Sequence, residues 1–362
     1  MSSFFQRIKR LLSASPLGTA LMKYRVRRAK TRPYAAYNVM KEFGYGNLSD
    51  SQKKALFKDM RHWLKKYHYS FYEYFAYNFI ETKSEQERLA FVSNYERRTI
   101  ILRLNRPEDK QTFDNKLIAA SKFSEFFKRY CCGIESLEDV DKLEKFLTKY
   151  KRVIVKPIGS SWGHGVRIVE VKDENNVREL AASIIKEYDR RSGLNFYGGI
   201  VEEVVVQDEP FAKLHPQSVN SIRITTIRLD TETVIFEPFL RVGRGDSCVD
   251  NAGSGGIICP LNPETGTVFA ARDERGVAYE TQPETGERLV GFQVPRWDEA
   301  KDFVLKAAQV VPTTRIIAWD VALTPDGWIL LEANYAGEWL TQEATRHGLR
   351  GKLNEILREL GE

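Results

Sequence analysis

The apolar residues between positions 34 and 95 recur at intervals of three and four, which is the spacing of helices that bury one face. The clearest run follows a capping candidate at Ser49 or Asp50. Its apolar positions are Leu56, Met60, Trp63, Leu64 and Tyr67. The segment is rich in Tyr and Phe, and we expect these rings to form a core rather than to contact a cofactor. The pattern predicts a small helical lobe.

Beyond Arg98 the pattern alternates between short β-branched runs, typical of strands, and periodic segments, typical of helices. The predicted strands cover residues 99–104, 152–156, 166–171, 200–206, 221–229, 233–242 and 257–259. The predicted helices cover residues 114–130, 137–150, 177–190 and 297–310, and a last amphipathic helix starts near residue 349. This mixed order predicts an α+β fold with mainly antiparallel sheets rather than a doubly wound fold.

Composition excludes several classes of protein. With 362 residues and 42% hydrophobic content, the chain can bury a large core divided over two or three lobes. The four cysteines include no C-x-x-C pair and the five histidines are scattered, so neither a zinc site nor a disulfide framework is supported. Reduced thiols in a cytoplasmic protein are expected. No apolar run reaches the roughly 20 residues that a membrane-spanning helix needs.

Positive charge is concentrated in residues 1–33, which hold nine Lys or Arg and no acid. The apolar face of a short helix there would comprise Phe4, Phe5, Ile8, Leu11 and Leu12. Such an arm can make a peripheral contact with an anionic membrane, and a solvated basic tail explains the composition equally well. Because the basic charge does not continue into a patterned motif downstream, nucleic acid is not an expected partner.

A glycine-rich segment from Lys156 to Gly165 lies between two predicted strands. Its glycines let backbone N–H groups turn toward phosphate oxygens, and Lys156 at the strand end would supply a fixed cation. The segment contains no G-x-x-x-x-G-K-[ST] motif, and a position between strands is the wrong setting for a Walker A loop or a dinucleotide fingerprint. A plain hairpin turn is the alternative interpretation.

Residues 315–334 form a predicted hairpin, because a Pro-Asp-Gly sequence at its centre fits a three-residue loop. That loop pairs Thr324 with Trp328 and places Asp320 opposite Glu332, with Asn334 on the same face. Two carboxylates and an amide among apolar neighbours are costly to bury without a cation, and such oxygen ligands suit Mg²⁺ that carries nucleotide phosphates. An outward polar face on an edge hairpin is the alternative.

Several features together resemble the ATP-grasp superfamily over most of the chain. They are Lys116 after Asp114-Asn115 at a helix start, Lys156 with its glycine-rich loop, the strand at 201–206, and the set of Asp320, Glu332 and Asn334. More narrowly, residues 215–225, with the sequence HPQSVNSIRIT, are similar to the sugar-transfer-associated branch, which is met in polysaccharide biosynthesis.

The resemblance implies a fold of two lobes with a helical N-terminal region. The implied parts are a basic arm at residues 1–33, a helical lobe at 34–110, a small lobe with a phosphate loop at 111–199 and a large lobe with a metal site at 200–362.

The resemblance also implies ATP and Mg²⁺ as cofactors, with roles at single positions. Lys116 and Lys156 would hold the α- and β-phosphates. The loop over the γ-phosphate would contain Ser160, Ser161, Gly163, His164 and Gly165. Backbone groups near Glu203 and Val205 would meet the adenine edge, Glu202 would reach its amine, and Gln207 or Glu209 would hold the ribose. Asp320, Glu332 and Asn334 would coordinate the metal.

Two arginines and an asparagine would act on the reacting groups. Arg223 and Arg241 would face the transferred phosphoryl group or an acyl-phosphate oxygen, unless they pair with a surface carboxylate. Asn251 matches a loop position near the reacting carboxylate, and turn chemistry is its alternative. For His164 we favour a hydrogen-bond donor over a phosphoryl acceptor, because ligases of this superfamily transfer the phosphoryl group directly.

The implied activity is an ADP-forming, ATP-dependent ligase that joins a carboxylate to an amine through an acyl phosphate. Its partners would be a small-molecule or glycan-linked carboxylate and an amine donor in polysaccharide or cell-envelope biosynthesis. Two rival hypotheses are a kinase-like phosphotransferase that acts on a hydroxyl and a non-catalytic protein that binds nucleotide or membrane.

Overall fold

The structure is a computed structural model that describes residues 33–82, 84–159, 165–188 and 198–361. Its described residues divide into two compact units. One unit extends to Arg88 and includes Ser93–Glu96, and the other comprises Leu89–Val92 and the chain from Arg97 onward. The predicted basic arm at residues 1–33 lies outside the described residues except for Pro33.

The first unit is helical, as the spacing of its apolar residues predicts. Its helices are α1 (Pro33–Glu42), α2 (Asp50–Tyr67), α3 (Phe71–Ala76), α4 (Glu85–Leu89) and the first turn of α5 (Asn94–Leu104). Ser49 caps α2, because its hydroxyl accepts the Gln52 N–H and the Gln52 side chain accepts the Ser49 N–H. Trp63, Tyr69 and Phe79 are buried in mutual contact, so the prediction that the aromatic residues form a core is confirmed.

The second unit contains the rest of α5 and all the other elements. Its helices are α6 (Lys110–Asp114), α7 (Lys116–Lys122), α8 (Ser124–Phe127), α9 (Val140–Lys149), α10 (Val177–Tyr188), α11 (Glu209–Leu214), α12 (Trp297–Ala307), α13 (Thr341–Thr345) and α14 (Arg350–Glu359). Its strands are β1 (Cys131–Ile134), β2 (Arg152–Pro157), β3 (Arg167–Glu170), β4 (Gly199–Glu203), β5 (Ile222–Arg228), β6 (Thr233–Val242), β7 (Ile257–Pro260), β8 (Arg272–Asp273), β9 (Ile316–Thr324) and β10 (Gly327–Asn334). None of the helices in the described ranges is long and apolar enough to cross a membrane.

Four of these strands form a small antiparallel sheet in the order β1-β4-β2-β3. Val153 and Val155 of β2 are buried together with apolar side chains of α9 and α10, such as Leu147 and Ile184. Because successive strand residues point to opposite faces, Lys156 projects from the face that α9 and α10 leave open. That face lines the cleft described below.

The other six strands form a larger antiparallel sheet in the order β10-β9-β5-β6-β7-β8. Successive residues of each strand point to opposite faces of this sheet. Trp319, Val321 and Ile224 belong to the apolar core that includes α12. Asp320 and Arg223 therefore project from the opposite face. The mixed helix and strand order with antiparallel sheets confirms the predicted α+β fold class.

The strand predicted at residues 99–104 is wrong, because this segment lies in α5. Its β-branched residues favour a strand by propensity. In the structure Ile100 and Ile101 are buried in a cluster with Ile227 and Phe236. Packing of one helix face against the larger sheet therefore outweighs the local preference.

The single helix predicted at residues 114–130 is replaced by short helices, because α6 ends at Asp114 and α7 and α8 follow it, and the strand β1 after this segment was not predicted. Gly133 at the centre of β1 weakens the strand signal in the sequence. A Cβ atom at this position would lie 2.7 Å from Cδ1 of Leu117, so any other residue would require the Leu117 side chain to shift. The remaining helices and strands predicted beyond residue 136 are found within a few residues of their expected bounds in the described part of the chain.

Asn105 provides a test of how the end of α5 is held to the larger sheet. Its amide donates to the carbonyls of Ile316 and Tyr335 at 2.8 and 3.0 Å, and its Oδ1 accepts the Ile316 N–H at 2.8 Å. Replacing this buried residue by alanine leaves three backbone groups without partners, so we expect the free energy of unfolding to fall by about 2–3 kcal/mol. Urea denaturation measures the change. Asn354→Ala on the exposed face of α14 is the control and should leave stability within about 0.5 kcal/mol of the parent.

Candidate nucleotide and metal site

The register of the β9–β10 hairpin brings two acidic residues together. Asp320 lies directly opposite Glu332, as the sequence predicts. The predicted Thr324–Trp328 pair is wrong, because Thr324 pairs with Gly327 and the loop has two residues rather than three. A bulge between Leu330 and Glu332 adds one residue and restores the register. Asn334 lies opposite Ala318, two positions along, and so shares the face of Asp320 and Glu332.

Asp320 is the centre of a buried ion-pair cluster. Its carboxylate accepts hydrogen bonds from Nε and Nη2 of Arg223, and the bond from Nη2 is 2.8 Å long. Nη2 of Arg241 lies 3.0 Å from the same carboxylate. The amide nitrogen of Asn334 lies 3.5 Å from Oδ2 of the same carboxylate. Burial opposes ionisation of Asp320, but the two guanidinium groups outweigh it and hold its pKa below the usual range.

Asp250 extends this cluster, although the sequence analysis did not identify it. It lies next to the predicted Asn251, which is the signal that would have drawn attention to it. Its Oδ2 accepts the Ser221 N–H at 2.8 Å and the Ser221 hydroxyl, and Arg241 donates to the same hydroxyl. Arg241 also donates to Oδ1 of Asn251 at 3.1 Å. Burial raises the pKa of Asp250, opposed by Arg241 and by the bonds from Ser221.

A second buried cluster surrounds Glu202 of β4. Its carboxylate lies 2.8 Å from Nζ of Lys156 and 2.7 Å from Nη2 of Arg129. Arg129 also donates to the carbonyls of Leu330 and Leu331, at the bulge that sets the register of Glu332. The sequence analysis missed Arg129. Burial opposes ionisation of Glu202, but Arg129 and Lys156 together hold its pKa at about 2.

Lys116 reaches the acidic pair from the start of α7. Asn115 caps this helix by accepting the N–H groups of Leu117 and Ile118 at 2.9 and 3.2 Å, so the predicted helix start is confirmed. Nζ of Lys116 lies 3.1 Å from Oε1 of Glu332. The cap therefore directs a lysine toward one of the predicted metal ligands.

These clusters line a cleft of about 370 Å³, a size typical of small-molecule sites. The predicted site residues that line it are Lys116, Lys156, Glu202, Val205, Gln207, Arg241, Asn251, Asp320 and Glu332. Apolar side chains, including Ile154, Ile168 and Leu331, line another part of the wall. Arg223 and Asn334 join the site through Asp320.

Other predicted positions lie elsewhere or outside the described residues. Glu203 and Glu209 are not among the residues that line the cleft, and the exposed side chain of Glu209 pairs with Lys213 at 2.9 Å. Gln207, the other candidate for the ribose, donates to the carbonyl of Ser218 at 2.7 Å. Gly165 has a left-handed backbone with φ of 76°. The loop residues outside the described ranges are Ser160, Ser161, Gly163 and His164.

Two antiparallel sheets contribute cationic and acidic side chains to one cleft, as the resemblance to the ATP-grasp superfamily implies. Residues 95–358 match the profile of the family described as sugar-transfer associated ATP-grasp, and the chain belongs to this family. No sequence among the curated proteins matches the chain.

Several solved structures of low sequence identity are similar to this chain. The D-alanyl-alanine synthetase A of Vibrio cholerae is 12% identical over 71% of this chain and 67% of its own, with a TM-score of 0.44. The phosphoribosylamine–glycine ligase of Thermotoga maritima is 13% identical over 71% of this chain and 56% of its own, with a TM-score of 0.46. The ATP-grasp ligase PsnB, solved with a minimal precursor, Mg and ADP, is 14% identical over 72% of this chain, with a TM-score of 0.41. The alignment spans 62% of the PsnB chain.

Proposed function

We propose that this protein is an ADP-forming, ATP-dependent ligase that joins a carboxylate to an amine. The observation that carries the proposal is the charge of the cleft. Five cationic side chains meet four carboxylates there, and most of these groups are buried. The cations are Lys116, Arg129, Lys156, Arg223 and Arg241, and the acids are Glu202, Asp250, Asp320 and Glu332. A half-buried site with excess positive charge suits a nucleotide polyphosphate.

The side chains fit the substrates of such a reaction. Lys116 and Lys156 would hold phosphate oxygens, and the apolar wall formed by Ile154, Ile168 and Leu331 would accept the adenine ring. The described residues contain no group of three or more His, Cys, Asp or Glu placed to hold a metal. The donor set is instead two carboxylates and an amide, which are the oxygen ligands that Mg²⁺ uses when phosphates and water complete its coordination.

Asp320, Glu332 and Asn334 would therefore hold Mg²⁺, which supplies charge neutralisation for the phosphates when bound. In the reaction a substrate carboxylate oxygen attacks the γ-phosphorus, the bond to the β-phosphate oxygen breaks, and ADP leaves. Arg223 and Arg241 would stabilise the negative charge on the oxygens of the transferred group. An amine nitrogen then attacks the acyl carbon, a C–N bond forms, inorganic phosphate leaves, and the ammonium proton passes to solvent.

The proposed substrates follow from the family to which the chain belongs, and not from the residues that line the cleft. A sugar acid or peptide would provide the carboxylate, and an amino acid or amino sugar would provide the amine. The product would be an amide on a cell-envelope glycan or its precursor, made at the cytoplasmic side, with residues 1–33 available for contact with an anionic membrane surface.

The products released from ATP distinguish the proposed ligase from a kinase-like phosphotransferase and from a non-catalytic binding protein. We expect release of ADP and inorganic phosphate from Mg·ATP only when a carboxylate and an amine are both supplied. A screen of uronic acids against amino acids measures this release. ADP without free phosphate in the presence of a hydroxyl compound would instead identify a kinase-like phosphotransferase. ATP that is bound but never consumed would identify a non-catalytic nucleotide-binding protein.

Glu332→Gln tests the proposed metal site. Glu332 is half-buried and its ion pair with Lys116 is partly exposed, so we expect the free energy of unfolding to stay within about 1 kcal/mol of wild type. Loss of the charge should lower the rate of ADP release by about 100-fold or more. The control is Glu355→Gln on the exposed face of α14, which should retain full activity. Unchanged ADP release in Glu332→Gln would remove this residue from the reaction.

A further inference from the structure

Asp250 has one engaged and one open carboxylate oxygen. Its Oδ2 accepts the Ser221 N–H at 2.8 Å and the Ser221 hydroxyl, and Nε of Arg241 lies 3.5 Å from the same atom. Within the described ranges no hydrogen bond reaches Oδ1. Oδ1 is also not one of the buried atoms that lack a partner, so its surface is accessible, and Asp250 lines the cleft. A residue that is only 7% exposed therefore offers an open oxygen to the cleft.

The chain around Asp250 holds this carboxylate in place from two sides. The two bonds from Ser221, which is fully buried, fix Oδ2. On the backbone side, the N–H of Gly256 donates to the carbonyl of Asn251 at 3.1 Å. A Cβ atom at Gly256 would lie 2.2 Å from the carbonyl oxygen of Asp250, a contact with backbone that no side-chain rotation relieves. The open oxygen therefore has a defined position in the wall of the cleft.

Asp250 has the weakest cation contact of the four carboxylates in the cleft. Glu202, Glu332 and Asp320 each lie within 3.1 Å of a lysine or arginine nitrogen. Among the described residues Asp250 has only Arg241, at 3.5 Å, and Arg241 lies closer to Asp320, at 3.0 Å. Burial raises the pKa of Asp250 although Arg241 opposes the shift, so its negative charge is incompletely balanced. A further cation at Oδ1 would stabilise the ionised carboxylate.

The position of Asp250 beside Arg241 suits the amine of the proposed reaction. Arg241 would bind the transferred phosphoryl group, and in an acyl phosphate one bridging oxygen separates that phosphorus from the acyl carbon. The attacking nitrogen must come within about 3–3.5 Å of this carbon. An amine arrives as an ammonium group, which donates charge-assisted hydrogen bonds to a carboxylate oxygen. A carboxylate in contact with Arg241 is therefore within reach of the incoming amine.

We propose that Asp250 binds the ammonium group of the amine substrate through Oδ1. This inference rests on the proposed ligase function, in which the amine attacks an acyl phosphate beside Arg241. The substrate is then a basic amine that is protonated at neutral pH, as in an amino acid or an amino sugar. The nitrogen of an amide or an aromatic amine is neutral at this pH and leaves the buried charge of Asp250 without a second cation.

The test measures ligand binding by calorimetry to the full chain saturated with Mg·ADP. Glucosamine is compared with glucose, and alanine with lactate, because a hydroxyl replaces the ammonium group in the second member of each pair. We expect at least one amine to bind the parent about tenfold or more tightly than its hydroxyl counterpart. The amine that binds identifies a sugar or an amino acid as the source of the ammonium group.

Asp250→Asn should raise the Kd of that amine by about tenfold or more and leave the Kd of its hydroxyl counterpart unchanged. Asparagine keeps the shape of the side chain and an oxygen that can accept the bonds from Ser221, so binding of Mg·ADP should persist. Asp246→Asn is the matched control and should bind like the parent, because it removes an exposed carboxylate of the same loop that does not line the cleft.

Three results would overturn the proposal: no binding of either amine by the parent, equal binding of an amine and its hydroxyl counterpart, or equal binding of the amine by the parent and Asp250→Asn. If the variant also loses Mg·ADP binding, the preference of the parent for the amine decides. Asp250-dependent amine binding in a protein that never releases ADP and phosphate would keep the ammonium site and remove the ligase function. Release of both products with amine binding unchanged in Asp250→Asn would do the reverse.

Discussion

Replacing Asp320 by asparagine is expected to lower the free energy of unfolding by about 3–5 kcal/mol, as loss of one member of a buried ion pair does. The residue is 3% exposed and its carboxylate is bonded to both Arg223 and Arg241. An amide keeps the shape of the side chain but removes its charge. Two buried guanidinium groups would then lie side by side with no shared anion. Because the pKa of Asp320 is held below its usual range, the full charge is lost at neutral pH.

The same substitution should also reduce ADP release by about 100-fold or more, since Asp320 is one of the three proposed metal ligands. Urea denaturation followed by tryptophan fluorescence measures stability, and a coupled assay measures ADP. Glu332→Gln is the internal comparison, because it should lose activity without losing stability. An Asp320→Asn protein that unfolds at the parent urea concentration would show that the ion pairs contribute no net stability.

The pairing of Asp320 with Glu332 was predicted correctly because two differences between the expected and the observed hairpin cancel. The sequence analysis combined a hairpin signal at residues 324–327 with a period of two and a three-residue loop. The loop length was wrong by one residue, and the bulge at Leu331 compensated for it. A bulge of this kind depends on tertiary contacts, here the bonds from Arg129 to the two carbonyls, which local sequence does not reveal.

Arg129 could not be found for the same reason. It lies in a segment predicted as the end of a helix, and its partner Glu202 is 73 residues away along the chain. No periodicity links the two positions. Asp250 was also missed, although it directly precedes Asn251, which the sequence analysis did identify. Strand β1 and helix α5 were missed where burial against other elements outweighed the propensities of Gly133 and of Ile100 and Ile101.

Arg129 also contacts both sheets, and these contacts affect the stability of the protein at acidic pH. Its guanidinium contacts Glu202 on the smaller sheet and the carbonyls of β10 on the larger one. Both charged partners are almost fully buried, with side chains 4% and 3% exposed. This arrangement makes Arg129 a positioning residue for Lys156 and for the bulge that precedes Glu332, even though it has no proposed contact with substrate.

Arg129→Met is therefore expected to lower the free energy of unfolding at pH 7 by about 3–5 kcal/mol. The pH dependence has a definite sign. The folded pKa of Glu202 is about 2, below the ordinary value of 4.5, so its contribution is full above pH 4.5 and is lost as the pH falls toward 2. Without Arg129 the folded pKa of Glu202 rises toward 4.5 and this contribution shrinks.

The difference in stability between parent and Arg129→Met should consequently be constant above pH 4.5 and decrease between pH 4.5 and 2. Urea denaturation at a series of pH values measures it, and other carboxylates cancel because both proteins contain them. Arg178→Met, which removes an exposed arginine with two surface ion pairs, should leave stability close to that of the parent. A parent and variant whose stabilities fall in parallel through this pH range would show that Arg129 does not set the ionisation of Glu202.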